Sequence, residues 1–328
     1  MNEDVWNEAN ETLANAAEKG DLEQVRSLVH FPVDWEHDNS RGLRMAARNG
    51  HEEIVALMLQ KKADPKALDS EALRNAVAGG YEKIAELLLQ YGANVHARKG
   101  EPLIKAVSTR RPNMVRMLLA RGACPHFSDD HALRQASLDG SEDIVRSLLK
   151  AGADPFAMQD SAMALADPEK HGVIVNLLAE RMFALREEFM QDLNAAEDPK
   201  AFLRARHRKT GESGLVRALK MNLLGEAVEK MKAVGDTLSH ADLYGLKDRG
   251  GRPLGVLAAE RKNLKALFDP AFWRGNLDEL QKCWEDVPSS AKKRSGLSTD
   301  GFQSVIAEHR QIALRDRAQR FRLKPPGM

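Results

Sequence analysis

Apolar positions in the first half of the chain return every 30 residues. Leu13, Leu43, Leu73, Leu103 and Leu133 head one column, with Met163 as a looser sixth member. Three positions on stands an alanine: Ala16, Ala46, Ala76, Ala106, Ala136 and Ala166. Four further on come Gly20, Gly50, Gly80, Arg110 and Gly140. A second apolar set follows in each period, as in Val55, Met58 and Leu59 or Val145, Leu148 and Leu149, and its spacing of three and four is that of one helix face. Turns close the period at Gly92-Ala93-Asn94 and Gly152-Ala153-Asp154-Pro155. The pattern predicts helix, tight turn, helix and loop, repeated about six times. A period of this length means stacked units, each burying its apolar face only against its neighbours. The alanine lets neighbouring helices approach closely, and the glycine takes the left-handed conformation that ends a helix.

The run Leu43-Arg44-Met45-Ala46-Ala47-Arg48-Asn49-Gly50-His51, followed by Val, Leu-Leu and a Gly-Ala-Asp turn in its neighbours, resembles the ankyrin repeat. That resemblance implies an all-α ankyrin-repeat solenoid of stacked antiparallel helix pairs, with loops along one edge and partners bound on a concave face. Two departures stand out. The usual unit has about 33 residues, so the hairpin loops should be shortened to simple turns, as at Arg98-Lys99-Gly100-Glu101 and Ser128-Asp129-Asp130-His131. The usual Thr-Pro-Leu-His opening survives only as Pro102-Leu103. Arg110 in a glycine slot predicts a small local adjustment, since left-handed φ costs a non-glycine residue about 1–2 kcal/mol.

The rhythm ends near residue 180, which divides the chain into an array (1–180), a helical connector with a basic stretch (181–212), degenerate ankyrin-like units (213–290) and a basic helical tail (291–328). From Val173 to Glu197 there is neither glycine nor proline, which predicts one long helix ending near Asn194. Arg204, Arg206, Arg208 and Lys209 lead into Gly211-Glu212-Ser213-Gly214, read as a hinge. Leu215-Val216-Arg217-Ala218-Leu219 reads as a repeat opening. Lys247 to Leu254 resembles a full-length finger, followed by Leu257-Ala258-Ala259-Glu260 as its helix. The tail carries nine basic and three acidic residues. Its stripe of Phe302, Val305, Ile306, Ile312, Ala313 and Phe321, behind a Thr299 cap, suits a helix closing the last hydrophobic layer. Binding to nucleic acid or an anionic membrane is the alternative use of that tail.

Composition narrows the classes. The chain is 43% hydrophobic and 30% charged with formal net charge +1, so no global field draws it to nucleic acid or lipid. Cys124 and Cys283 form no disulfide framework and fit a reducing compartment. Met1 to Asn10 is polar and acidic, unlike a secretory signal, and no apolar run reaches the roughly 20 residues of a membrane span. The expectation is a cytoplasmic protein, with export as an effector lacking a cleaved signal left open.

No nucleophile elbow, phosphate loop or zinc-protease motif is present, so the expectation is a non-catalytic chain with no cofactor and no small-molecule substrate. Cys124, His126, Asp129, Asp130 and His131 are the densest set of metal-ligand types, but they lack paired spacing, and Cys124 occupies a turn slot held elsewhere by Asp64, Asn94 and Asp154. No metal site is assigned. Arg44, Arg74 and Arg134 share one slot and stack along one face, flanked by Arg48, Asn75, Lys105 and Gln135. Arginine is favoured in interfaces and grips carboxylates in a fork. With loop residues Asn39, Arg41, Arg98, Lys99, Asp129 and His131, this stripe is the expected binding surface for another protein with an acidic surface. The competing reading is a solvated face bridged to acids such as Glu71 or Asp139.

Overall fold

The computed structural model describes residues 3–31, 33–208 and 211–233, and beyond them Leu246, Ala258, Trp284, Glu285, 301–304 and Ala307. Most of the second degenerate unit and of the basic tail therefore lies outside the described residues. The array runs as helix pairs: α1 (Glu3–Lys19) with α2 (Leu22–Leu28), α3 (His37–Asn49) with α4 (Glu52–Gln60), α5 (Ala67–Gly79) with α6 (Glu82–Gln90), α7 (Ala97–Ser108) with α8 (Pro112–Ala120), and α9 (Phe127–Leu138) with α10 (Glu142–Lys150). The sixth repeat has α11 (Ala157–Leu165) followed by the long α12 (Gly172–Ala195), close to the length its lack of breakers predicts. First helices pack on one another from α1 to α9, and second helices from α2 to α10, giving two layers. The columns read from the sequence form the core: Leu43, Leu73 and Leu133 are fully buried, as are Ala16, Ala46, Ala76, Ala106 and Ala136. Fully burying one leucine contributes about 1.5–3 kcal/mol.

The first helices from α1 to α9 end alike. The glycine slot has positive φ, for example +83° at Gly50, and the next amide donates back to the alanine carbonyl, as Tyr81 N–H does to Ala76 at 2.9 Å. Glycine is demanded twice over, because a large side chain from the next repeat lies on it: His51 over Gly20, Tyr81 over Gly50, Arg111 over Gly80 and His171 over Gly140. Arg110 takes the same left-handed turn (φ 52°) and keeps the same bonds, Arg110 N–H to Val107 at 2.8 Å and Arg111 N–H to Ala106 at 3.0 Å. The expected local adjustment is absent. The residue corresponding to the overlying ring is there the small Ser141.

The shortened loops are not simple turns. Asp38, Asn39 and Ser40 all have φ near 50°, as do Leu68, Asp69 and Ser70, and Ser128, Asp129 and Asp130; Arg98 and Lys99 precede Gly100 in the same way. Each set is one left-handed turn closed by an amide four residues on, such as Ser40 N–H to Glu36 at 2.9 Å. Non-glycine residues rarely hold this conformation in succession. The last residue of each turn is buried, and in three of the four turns its side chain receives a backbone amide of the next loop. Ser40 Oγ accepts from Asp64 N–H (2.9 Å), Ser70 Oγ from Asn94 N–H (2.8 Å) and Asp130 Oδ1 from Asp154 N–H (2.8 Å). Asn10 Oδ1 does the same for Asp34 N–H at 2.8 Å.

The chain divides into two compact units, Met1–Pro155 with Asp160–Ala179, and Phe156–Gln159 with Glu180–Met328. The described part of the second is built from α12 beyond Ala179, α13 (Pro199–Arg204), α14 (Gly214–Lys220) and α15 (Leu224–Ala233). Its core includes Phe156, Phe189, Leu203, Leu215, Leu219, Trp284 and Phe302. Leu215 opens a helix pair as expected: Asn222 takes the left-handed slot (φ 60°) and Leu223 N–H returns to Ala218 at 2.7 Å. The expected hinge is overturned, because Glu212, Ser213 and Gly214 are buried. Ser213 caps α14 through Val216 N–H (3.3 Å), and Glu212 pairs with Lys220 Nζ at 3.3 Å.

Two substitutions separate the demands on glycine. At Gly122 (φ +88°) an added Cβ meets nothing within 4 Å, whereas at Gly50 it meets the Tyr81 ring. Gly122→Ala should cost about 1 kcal/mol from the backbone alone, and Gly50→Ala at least about 1 kcal/mol more from overpacking. Urea unfolding of the two variants checks the order. Ser70→Ala, which strands the half-buried Asn94 amide, should cost about 1–3 kcal/mol in the same assay.

Candidate partner-binding surface

The arginine column is held by the left-handed turns. A turn of positive-φ residues leaves carbonyls without helical partners, and a buried carbonyl needs a donor. Arg44 supplies two: Nε donates to Asn39 O and Nη2 to Asp38 O, both at 3.0 Å, while Nη1 reaches Glu71 of the next repeat at 3.2 Å. Arg74 repeats part of the scheme, with Leu68 O (3.3 Å) and Glu101 (3.2 Å), while its Nε is buried without a hydrogen-bond partner among the described residues. Arg134 donates to Asp129 O (3.3 Å) and Ser128 O (3.0 Å). The side chains of Arg44 and Arg74 are only 10% and 11% exposed. They do stack on one face, but their guanidinium groups are engaged within the array, and they brace the turns and tie neighbouring repeats.

The remaining expected residues fall into two groups. Asn75 Nδ2 donates to Arg44 O (3.4 Å) and Gln135 Nε2 to Asp139 (3.0 Å), so both face inward contacts. Arg41 pairs with Glu11 at 2.9 Å, and Asn39 and Asp129 offer their carbonyls to the arginines. His131 is half-buried, with Nδ1 buried and without a hydrogen-bond partner among the described residues. By contrast, Arg48, Lys99 and Lys105 are exposed and form no ion pair among the described residues. Arg98 is exposed too; its amide binds Asp69 Oδ2 (2.7 Å) and its side chain lies 4.0 Å from Glu101.

The set of metal-ligand types resolves into a local pair. His126 Nδ1 lies 2.9 Å from Asp130 Oδ1, the oxygen that also accepts Asp154 N–H. Among the described residues no three His, Cys, Asp or Glu side chains converge as a metal site would require, and no helix is long and apolar enough to cross a membrane. In the loop before α12, the amide of Glu169 donates to Asp167 (3.0 Å) and, with Lys170, holds its carboxyl below its ordinary value. What sequence reading missed was the buried polar slot of Asn10, Ser40, Ser70 and Asp130. It was visible as small polar residues three positions before Leu13, Leu43, Leu73 and Leu133.

Residues 13–99 match the family model for ankyrin repeats in three copies. These residues are ankyrin repeats, and the array is an all-α ankyrin solenoid. No curated protein matches the chain. Ankyrin repeats generally bind other proteins and are typically non-catalytic.

The two arginine environments call for opposite outcomes. Arg74→Met removes a carbonyl donor and the Glu101 pair, and should lower stability by about 1–3 kcal/mol. Arg48→Met should change it by less than about 0.5 kcal/mol. Equal thermal unfolding curves for the two variants would contradict the bracing role.

Proposed function

We propose that this chain is a non-catalytic protein-binding module, acting as a scaffold, adaptor or inhibitor on a partner with an acidic surface. The binding surface in this reading is the first-helix face and the adjoining turns, the concave side in the ankyrin resemblance. The observation that carries it is the exposure of Arg48, Lys99 and Lys105 on that side, with no acid neutralising them among the described residues. The engaged residues Arg44, Arg74, Asn75, Arg134 and Gln135 support this surface from beneath, and Arg41, Arg98 and His131 border it. A surface already held rigid loses little freedom when a partner docks, and this favours affinity. Exposed charges of this kind chiefly raise the association rate and discriminate between partners. A cytoplasmic site of action accords with the free thiol of Cys124. The tail fits better as part of the fold than as a lipid or nucleic-acid ligand, because Phe302 from its apolar stripe is buried and stacked on Trp284 at 4.5 Å.

Affinity purification from the native cell tests this reading, with Arg48→Glu, Lys99→Glu and Lys105→Glu combined as the control. The expected outcome is a partner retained by the native chain and lost by the variant, with unchanged circular dichroism. An identical partner set for both would remove the assigned surface. Loss of binding on deleting residues 291–328 instead, with steep salt dependence, would favour a nucleic-acid or membrane ligand.

A further inference from the structure

Neighbouring repeats are joined by recurring side-chain contacts, and one boundary lacks all of them. The first is the buried polar slot: Asn10, Ser40, Ser70 and Asp130 each accept a backbone amide of the following loop. Between the fourth and fifth repeats that slot is Gly100, and the corresponding amide, of Cys124, has no acceptor among the described residues. The second is the large side chain seated on a helix-ending glycine, found over Gly20, Gly50, Gly80 and Gly140. At the fourth boundary the corresponding residues are Arg110 and Ser141. The third is the arginine tie, Arg44 to Glu71 and Arg74 to Glu101. At the fourth boundary its positions hold Ile104 and His131, whose buried Nδ1 lacks a partner among the described residues.

Two other contacts take their place. Phe127 fills the space that a side chain on Gly100 would need, standing edge-on to His96 with ring centroids 5.7 Å apart. Arg110 pairs with Asp139 at 3.4 Å with its side chain 64% exposed. Hydrogen bonds are directional and lock register, whereas apolar contact is non-directional and tolerates sliding. An exposed ion pair adds little resistance. We propose that the boundary between the fourth and fifth repeats is a yielding joint. There the array opens and changes pitch while the flanking boundaries stay closed. The first four repeats then move as one block against the fifth and sixth, a shear-type motion confined to one interface. The half-buried thiol of Cys124 lies in the joint and reports its opening.

Peptide-resolved hydrogen exchange on the full chain, run alongside alkylation of Cys124 by iodoacetamide, tests this. The turn at 123–131 and helix α9 should exchange about tenfold faster than the turn at 63–71 and α5, with a step at the fourth boundary. Cys124 labelling should accelerate with the same temperature dependence. The double variant Gly100→Ser with Phe127→Ala installs the Ser–Ala pairing that Ser40 with Ala67 and Ser70 with Ala97 use elsewhere. It should slow both readouts several-fold. If that variant does not fold, Arg110→Gly with Ser141→Tyr restores the ring-on-glycine contact and should act in the same direction. Equal protection across the second, third and fourth boundaries would overturn the joint. So would a smooth rise toward residue 179, which fraying from the array's end explains, or a folded restoring variant with unchanged rates.

Discussion

The array depends on one partly buried hydrogen bond repeated along it, from a loop amide of one repeat to the side-chain oxygen at Ser40, Ser70 or Asp130 of the repeat before. That oxygen sits at the end of a left-handed turn, a conformation that L residues resist. Where Ser40, Ser70 or Asp130 ends it, the turn is satisfied from both sides. Its last side chain holds the next loop, and its carbonyls are held by Arg44, Arg74 or Arg134. Shortening the loop therefore did more than remove a hairpin. It replaced strand pairing by a strained turn that only neighbouring repeats can maintain, so each repeat is stable chiefly in its stack.

This has a consequence for recognition. A residue that braces the turn cannot also give its full guanidinium fork to a partner. The arginines that attract notice by their periodicity serve mainly the fold, and the less regular cations Arg48, Lys99 and Lys105 are left facing solvent. Under the proposed function, bracing and binding divide between neighbouring slots on the same face. The fourth repeat, which supplies Lys99 and Lys105, is also the one with Ile104 in place of a bracing arginine and Gly100 in place of the polar slot.

The second unit reuses the same local grammar with different filling. Asn222 stands in the left-handed slot, and Leu223 returns its amide to Ala218 as Tyr81 does to Ala76. Its core adds to leucine, alanine and methionine the buried rings of Phe156, Phe189, Trp284 and Phe302, with Arg217 lying over the Phe189 ring at 5.2 Å.

The repeat, its helix pairs, the core columns and the long α12 are legible in the residues alone, because burial and helix periodicity are local and recur every 30 residues. So are the exposed cations of the candidate surface. What the shared arginine slot does, and what occupies the shortened loop, emerge only in three dimensions. Both answers turn on the sign of φ at residues such as Asp38, Leu68 and Ser128, which composition does not encode. The tertiary structure likewise decided that the Gly211–Gly214 stretch is packed rather than free, since Glu212 finds Lys220 only once α14 forms. The reason Arg110 can replace a glycine became visible in the same way. The residue that matters for it stands a whole repeat later, at Ser141, and the two become neighbours only when the repeats stack.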